Sequence, residues 1–175
     1  MIRTLSLAAT AALFAIPAFA CEGFGVHDAY ARSSTMMSQS GAAFMVLHNH
    51  GTTDCRVVGA RSDISERTEL HTHIADANGV MRMVEVEDGF PIPAGGEVLL
   101  VRCGHHVMFM GLNRPMEQGS EFALTLIFED GSEYALTVPV DNQRQPGQQG
   151  AAAGGQMGQA VGMGHGHGHG HGHGN

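Results

Sequence analysis

The chain has 175 residues, with 9 Lys and Arg against 17 Asp and Glu and no tryptophan. A net charge of -8 with histidine neutral repels nucleic acid and anionic lipid surfaces but attracts small cations. After the first twenty residues no run of about 18 apolar residues occurs, so no membrane-spanning helix is expected.

Residues 1–20 read as a secretory signal: Arg3 is the positive end, LSLAATAALFAI the apolar run and AFA the small-residue cleavage site. The mature chain then starts at Cys21. Removal of Arg3 leaves 8 Arg against 17 acidic residues, a net -9. A cysteine in that position can carry lipid in a bacterial lipoprotein, but Ala18 rather than Leu stands three residues before it. The expectation is therefore a periplasmic protein, with a lipid anchor at Cys21 the lesser alternative.

The only helix-like stretch is Ala29 to Met37. Beyond it, short segments of β-branched and aromatic residues alternate with turn signals, which predicts an all-β domain. Strands are expected over Ala42 to Asn49, Cys55 to Ala60, Thr68 to Ile74, Met81 to Val86, Glu97 to Arg102, Val107 to Met110, Phe122 to Phe128 and Tyr134 to Val140. The last two flank Asp130-Gly131, a pair suited to the positive φ of a tight hairpin. Eight short strands at this spacing suggest a two-sheet sandwich or a Greek-key barrel.

Three cysteines remain after the signal, none in a Cys-x-x-Cys arrangement. In an oxidising compartment two lone cysteines in a small domain default to a disulfide, here expected between Cys55 and Cys103 with Cys21 left over.

From Asp141 the composition shifts to Gln, Gly and Ala and ends in HGHGHGHGHGN. The domain is thus expected over residues 21–140, followed by a disordered linker and tail over 141–175. His165, His167, His169, His171 and His173 would chelate a borderline cation such as Cu(II), Ni(II) or Zn(II). Protonation should weaken that binding below a pH of about 6.5.

Within the domain, side chains two apart on a strand share a face. Three stretches place metal donors in that register: His71 with His73, Met81 with Met83, and His106 with Met108 and Met110. Thioether sulfur is soft and uncharged and suits Cu(I), whereas Zn(II) favours imidazole, thiolate and carboxylate. Taken singly, a strand methionine is more often core filler, and Met45 and Met116 are read that way. His27, His48 and His50 are read as ordinary polar residues, the latter two beside a turn. The joint pattern of His-x-His, Met-x-Met and His-x-Met-x-Met on successive elements is what singles out the first group.

These residues resemble the periplasmic copper chaperones called PCu(A)C. That family's signature is a His, often followed by Met, a Met about a dozen residues on, and a His-x-Met pair some twenty-odd residues later. ELHTHIADANGVMRM and IPAGGEVLLVRCGHHVMFMGL look like its two halves, and the similarity runs from about Ala29 to Val140. Three features depart from the pattern: Thr72 stands where Met is common, the spacing from Met83 to His106 is one residue longer, and CGHH replaces Gly-Gly-x-His.

The resemblance implies a cupredoxin-like Greek-key β-sandwich with copper ligands His71, Met83, His106 and Met108. His106 is preferred to His105 because it shares a strand face with Met108. His73 and Met110 become supporting or core residues, and Met81 a cover over the copper. The implied function is non-enzymatic: a monomeric chaperone that binds Cu(I) and delivers it toward the Cu(A) subunit of cytochrome c oxidase, alongside or through a Sco-type copper chaperone. Two rivals are a zinc, nickel or copper buffer acting through the tail and a cupin-type metalloenzyme. Against the cupin, Ile74 to Gly79 lacks the Glu that normally follows His-x-His.

Overall fold

The computed structural model describes residues 21–145. The signal segment 1–20, and residues 146–175 with the five tail histidines, lie outside them.

Ten strands, all in antiparallel pairs, make up the described fold: β1 (Phe24–Ser33), β2 (Ser40–Asn49), β3 (Cys55–Ser62), β4 (Ser65–Ala75), β5 (Met81–Glu85), β6 (Phe90–Ile92), β7 (Glu97–Leu100), β8 (His106–Leu112), β9 (Glu121–Phe128) and β10 (Glu133–Pro139). One sheet runs β1-β2-β8-β4-β5, with β7 also against β2; the other runs β10-β9-β3-β6. β7 and β8 share one side of β2 end to end, β7 along Met45–His48 and β8 along Ser40–Ala43. The non-sequential neighbours make this the cupredoxin-like Greek-key sandwich expected from the sequence.

The period-2 rule accounts for the core. Ala43, Met45 and Leu47 of β2, Val107 and Phe109 of β8, and Leu124 and Leu126 of β9 turn inward and are almost wholly buried. Met116 fills the space under Gly41, where a Cβ would lie 2.5 Å from its sulfur. Met45 and Met116 thus serve as core. Burying β8's odd residues sends its even ones, His106, Met108 and Met110, to the outer face.

The helix-like stretch is corrected: Ala29 to Ser33 end β1, and no helix occurs among the described residues. Ala31 pairs with the inward-facing Ala43 and Ser33 with Gly41, while Tyr30, also buried, pairs with Phe44 on the other face and lies against its ring, a strand alternation that alanine-rich composition hides. β6 also escaped prediction, because Pro91 interrupts it; the strand sits at a sheet edge, where proline is tolerated.

The expected disulfide is corrected as well. Cys21 is bonded to Cys55 with a Cα separation of 5.4 Å, and Cys103 is free and exposed. Cys55 opens β3 with its side chain buried at the end of the sandwich where the turn at Cys21 packs. Cys103 instead occupies the surface turn between β7 and β8, with φ 64°. A disulfide closing this 34-residue separation should stabilise the domain by about 3–4 kcal/mol. Cys55→Ala is accordingly expected to lower the denaturation midpoint strongly under non-reducing conditions, whereas Cys103→Ser should barely move it.

Candidate metal centre

Three strands bring the donors together on the outer face of the larger sheet. On β4, Glu69, His71 and His73 share that face; β8 sets Met108 opposite Glu69 and His106 opposite His71, while β5 sets Met83 opposite His73. On the far side of β8, Ala42 of β2 pairs with Met108, a small residue that leaves room above the sheet. The resulting cleft of about 290 Å³ is lined by His73, Met83, His106 and Met108, with Phe44, Arg32, Arg102 and Cys103 among its other walls.

His106 is 97% removed from solvent, at 3% exposure. Its Nδ1 lies 2.9 Å from the Gly104 carbonyl oxygen. A carbonyl only accepts, so Nδ1 carries the proton and Nε2 keeps its lone pair. That lone pair faces the Met83 sulfur at 3.2 Å. Two electron-pair donors confront each other with no proton between them. For metal–nitrogen and metal–sulfur bonds of about 2.0 and 2.3 Å, a tetrahedral ion would hold its N and S ligands about 3.5 Å apart, close to the observed spacing. The Gly104 bond also matches the way metal-binding imidazoles are oriented through their second nitrogen.

His71 shows the same arrangement with a carboxylate. Its Nε2 lies 2.9 Å from Glu69 Oε2, so the proton sits there and Nδ1 is left as an acceptor. Nδ1 is buried and finds no hydrogen-bond partner. The ring centroid is 5.9 Å from that of His106. His73 is nearer, at 5.3 Å, and its Nδ1 is likewise buried and unpartnered. The cleft wall itself includes His73 rather than His71. Glu69 was not anticipated from the sequence, although its place two residues before His71 on one strand face was a readable signal.

The remaining candidates separate. His105 turns to the other side of the turn, its ring 4.6 Å from Phe90. Met110 lies one step along, its sulfur 3.2 Å from Arg67 Nη2. Met81 is exposed beyond the cleft, opposite Ala75. Met83 forms a partly open lip at 44% exposure. Among the described residues no group of three or more His, Cys, Asp or Glu is arranged to hold a metal; the convergence here mixes imidazole with thioether.

Burial pushes the His106 pKa below the ordinary imidazole value of 6.5, with His73, His71 and His105 adding to the effect and the Gly104 bond opposing it. In the unfolded chain the same group binds its proton at about 6.5, so below that pH the unfolded state holds the extra proton. His106 therefore favours the folded metal-free domain above pH 6.5, and this contribution is lost as pH falls toward the lowered folded value. Denaturant midpoints measured at pH 7.5 and 5.5 should drop more for the metal-free wild type than for His106→Gln; equal drops would contradict the burial effect.

The chain's last described segment is anchored beside this cleft. Asn142 Oδ1 accepts the Ser33 N–H at 3.0 Å and its Nδ2 donates to the Met116 carbonyl at 2.8 Å. The Arg144 guanidinium stacks 4.3 Å from the Tyr30 ring centroid and pairs with Asp28, while its carbonyl accepts from Arg102 Nη2 at 2.5 Å. Residues 141–145 thus belong to the packed domain.

The family model described as "Putative lipoprotein LpqE-like" matches residues 25–140. "Putative lipoprotein Lxx21020" of Leifsonia xyli subsp. xyli is 38% identical over 99 residues, a stretch spanning 57% of this chain and 59% of that protein. The copper-bound PCuAC domain of PmoF2 superimposes with a TM-score of 0.56 at 17% identity, over 71% of this chain and 97% of that one; at that identity the likeness concerns the fold. DR1885 of Deinococcus radiodurans matches in its apo form (TM-score 0.55, 27% identity, 82% of this chain and 95% of that one) and in its Cu(I) form (0.54, 29%, 73% and 82%). The matching family thus carries the LpqE-like name, and the expected PCu(A)C likeness appears in the solved structures.

Proposed function

The chain belongs to the LpqE-like family, and from that premise we propose that it is an exported copper chaperone, not an enzyme, holding Cu(I) through His71, Met83, His106 and Met108. One observation carries the reading: the unprotonated Nε2 of His106 and the sulfur of Met83 face each other at 3.2 Å. Copper here is cargo. His106 and His71 supply neutral nitrogen, each oriented through its other nitrogen, and two thioethers supply the softness that favours Cu(I) over Zn(II). Of the two β4 histidines, His71 is assigned because Glu69 fixes its tautomer with Nδ1 free; His73 forms the adjoining wall.

The open Met83 lip is where a partner's ligands would enter, so that copper leaves by stepwise exchange. By analogy with PCuAC proteins, the recipient is the Cu(A) subunit of cytochrome c oxidase or a Sco-type chaperone. Thioethers need no deprotonation and form no disulfide, which suits them to the oxidising periplasm. Cys21, bonded to Cys55, has no free thiol for a lipid thioether, which argues against an anchor through that residue, although the matching family and the Leifsonia relative both carry the description "Putative lipoprotein".

The His-rich tail is assigned a separate, Cu(II)-binding role. Cu(I) titration of the full chain and of a chain ending at Gln145 separates the two. Retention of one tight Cu(I) by the shortened chain supports the chaperone site, and loss of all Cu(I) binding would favour a buffer working through the tail. The cut is placed after Gln145 so that Asn142 and Arg144 keep their contacts.

A further inference from the structure

At the other end of β2 a second set of imidazoles shares the outer face. His48 and His50, two residues apart, point the same way as Ala42 and Phe44. Gly25 pairs with His48 across the β1–β2 ladder and places no side chain there. His27, two residues beyond Gly25, leans into the space: its ring centroid is 5.2 Å from that of His48 and 6.4 Å from that of His50. The rings of His48 and His50 stack at 4.9 Å. A β-bulge follows His27 directly, with Asp28 at φ 53°, a device that re-aims side chains on an edge strand. On the opposite flank β7 sets Glu97 across from His48, with Oε2 2.8 Å from Nε2.

The Glu97–His48 pair repeats the Glu69–His71 arrangement: a carboxylate accepts a hydrogen bond from Nε2–H, which keeps the proton on that nitrogen and leaves the Nδ1 lone pair for a metal. From these residues we propose a second metal site, made by His27, His48 and His50 with Glu97 orienting His48, that takes a borderline divalent cation, Cu(II) or Zn(II). No thioether lies among them, so the site selects against Cu(I) where the cleft selects for it. Six residue steps along β2 take Ala42 to His48, about 20 Å of strand, so both sites open on the same face without sharing a ligand. In the described rotamers the four side chains do not close into a coordination set. The stacked rings must turn about their side-chain bonds to converge, which His27 and His50, both exposed, are free to do.

The test uses the full chain with Cu(I) filling the cleft, under exclusion of oxygen, so that added Cu(II) is the only paramagnet. Several equivalents of Cu(II) are titrated and the amide NMR signals followed, so that the tail's own capacity does not mask the folded domain. Broadening centred on residues 25–27, 48–50 and 97, absent from the His48→Ala/His50→Ala double variant while Cu(I) stays bound, supports the site. Broadening confined to residues 165–173, or unchanged in the double variant, overturns it. Zn(II) added in place of Cu(II) should shift the same amides without broadening them.

Discussion

His106→Ala is expected to weaken Cu(I) binding by the folded domain by at least about 100-fold, since loss of a group that merely orients a ligand already costs about 10–100-fold. His106 is the most deeply buried of the proposed donors, at 3% exposure, and its lone pair meets the Met83 sulfur at 3.2 Å. Alanine removes the nitrogen and leaves Met83 facing a gap. A competitive Cu(I) titration on the chain ending at Gln145 reads the effect without interference from the tail. His105→Ala serves as the control, because that ring packs on Phe90; a larger effect from His105 than from His106 would mean that the wrong face of the β7–β8 turn has been assigned.

The second large effect concerns selectivity. Met83→Ala should lower Cu(I) affinity about tenfold or more while changing Zn(II) affinity little, because thioether sulfur is a ligand that Cu(I) uses and Zn(II) does not favour. Met83 is also the most exposed ligand, at 44%, so its loss is not expected to disturb the core. Thermal unfolding of the metal-free variant should match the wild type. Met108→Ala should repeat the pattern from the cleft floor. Equal losses of Cu(I) and Zn(II) affinity in either variant would mean that the methionine supports the site by packing alone.

Much of this arrangement was legible in the chain because strand periodicity is strict. Once Val107 and Phe109 are placed in the core, His106 and Met108 must lie outside, and the eight strands expected from the sequence all appear with shifted ends. The failures have local causes. The second half of β1, from Ala29, reads as helical because its alanines carry little strand signal, and the strand's alternation is broken by the bulge after His27. β6 is masked by Pro91, which its edge position accommodates. The disulfide went wrong because sequence spacing says nothing of which cysteines share an end of the sandwich: Cys55 points inward to Cys21, while Cys103 sits in a surface turn.

The metal centre was only partly readable. The parity rule put His71 with His73, Met81 with Met83, and His106 with Met108 and Met110, each set on one face of its own strand, but parity cannot tell which strands are neighbours or how they align. The ladders do so, setting His71 against His106 and His73 against Met83. Nor could spacing foretell that Glu69 and the Gly104 carbonyl would each claim one imidazole nitrogen and leave the other as a donor. The same limit hid the group at His27, His48 and His50, which looks like turn polarity until β1 and β7 are folded against β2.

X-ray absorption at the copper edge, on the Cu(I)-loaded full chain and on the chain ending at Gln145, tests the central claim most directly. A mixed nitrogen and sulfur shell with about two sulfurs, the same in both chains, is the predicted result. A shell of nitrogen alone, or sulfur donors that vanish with the tail, would contradict it.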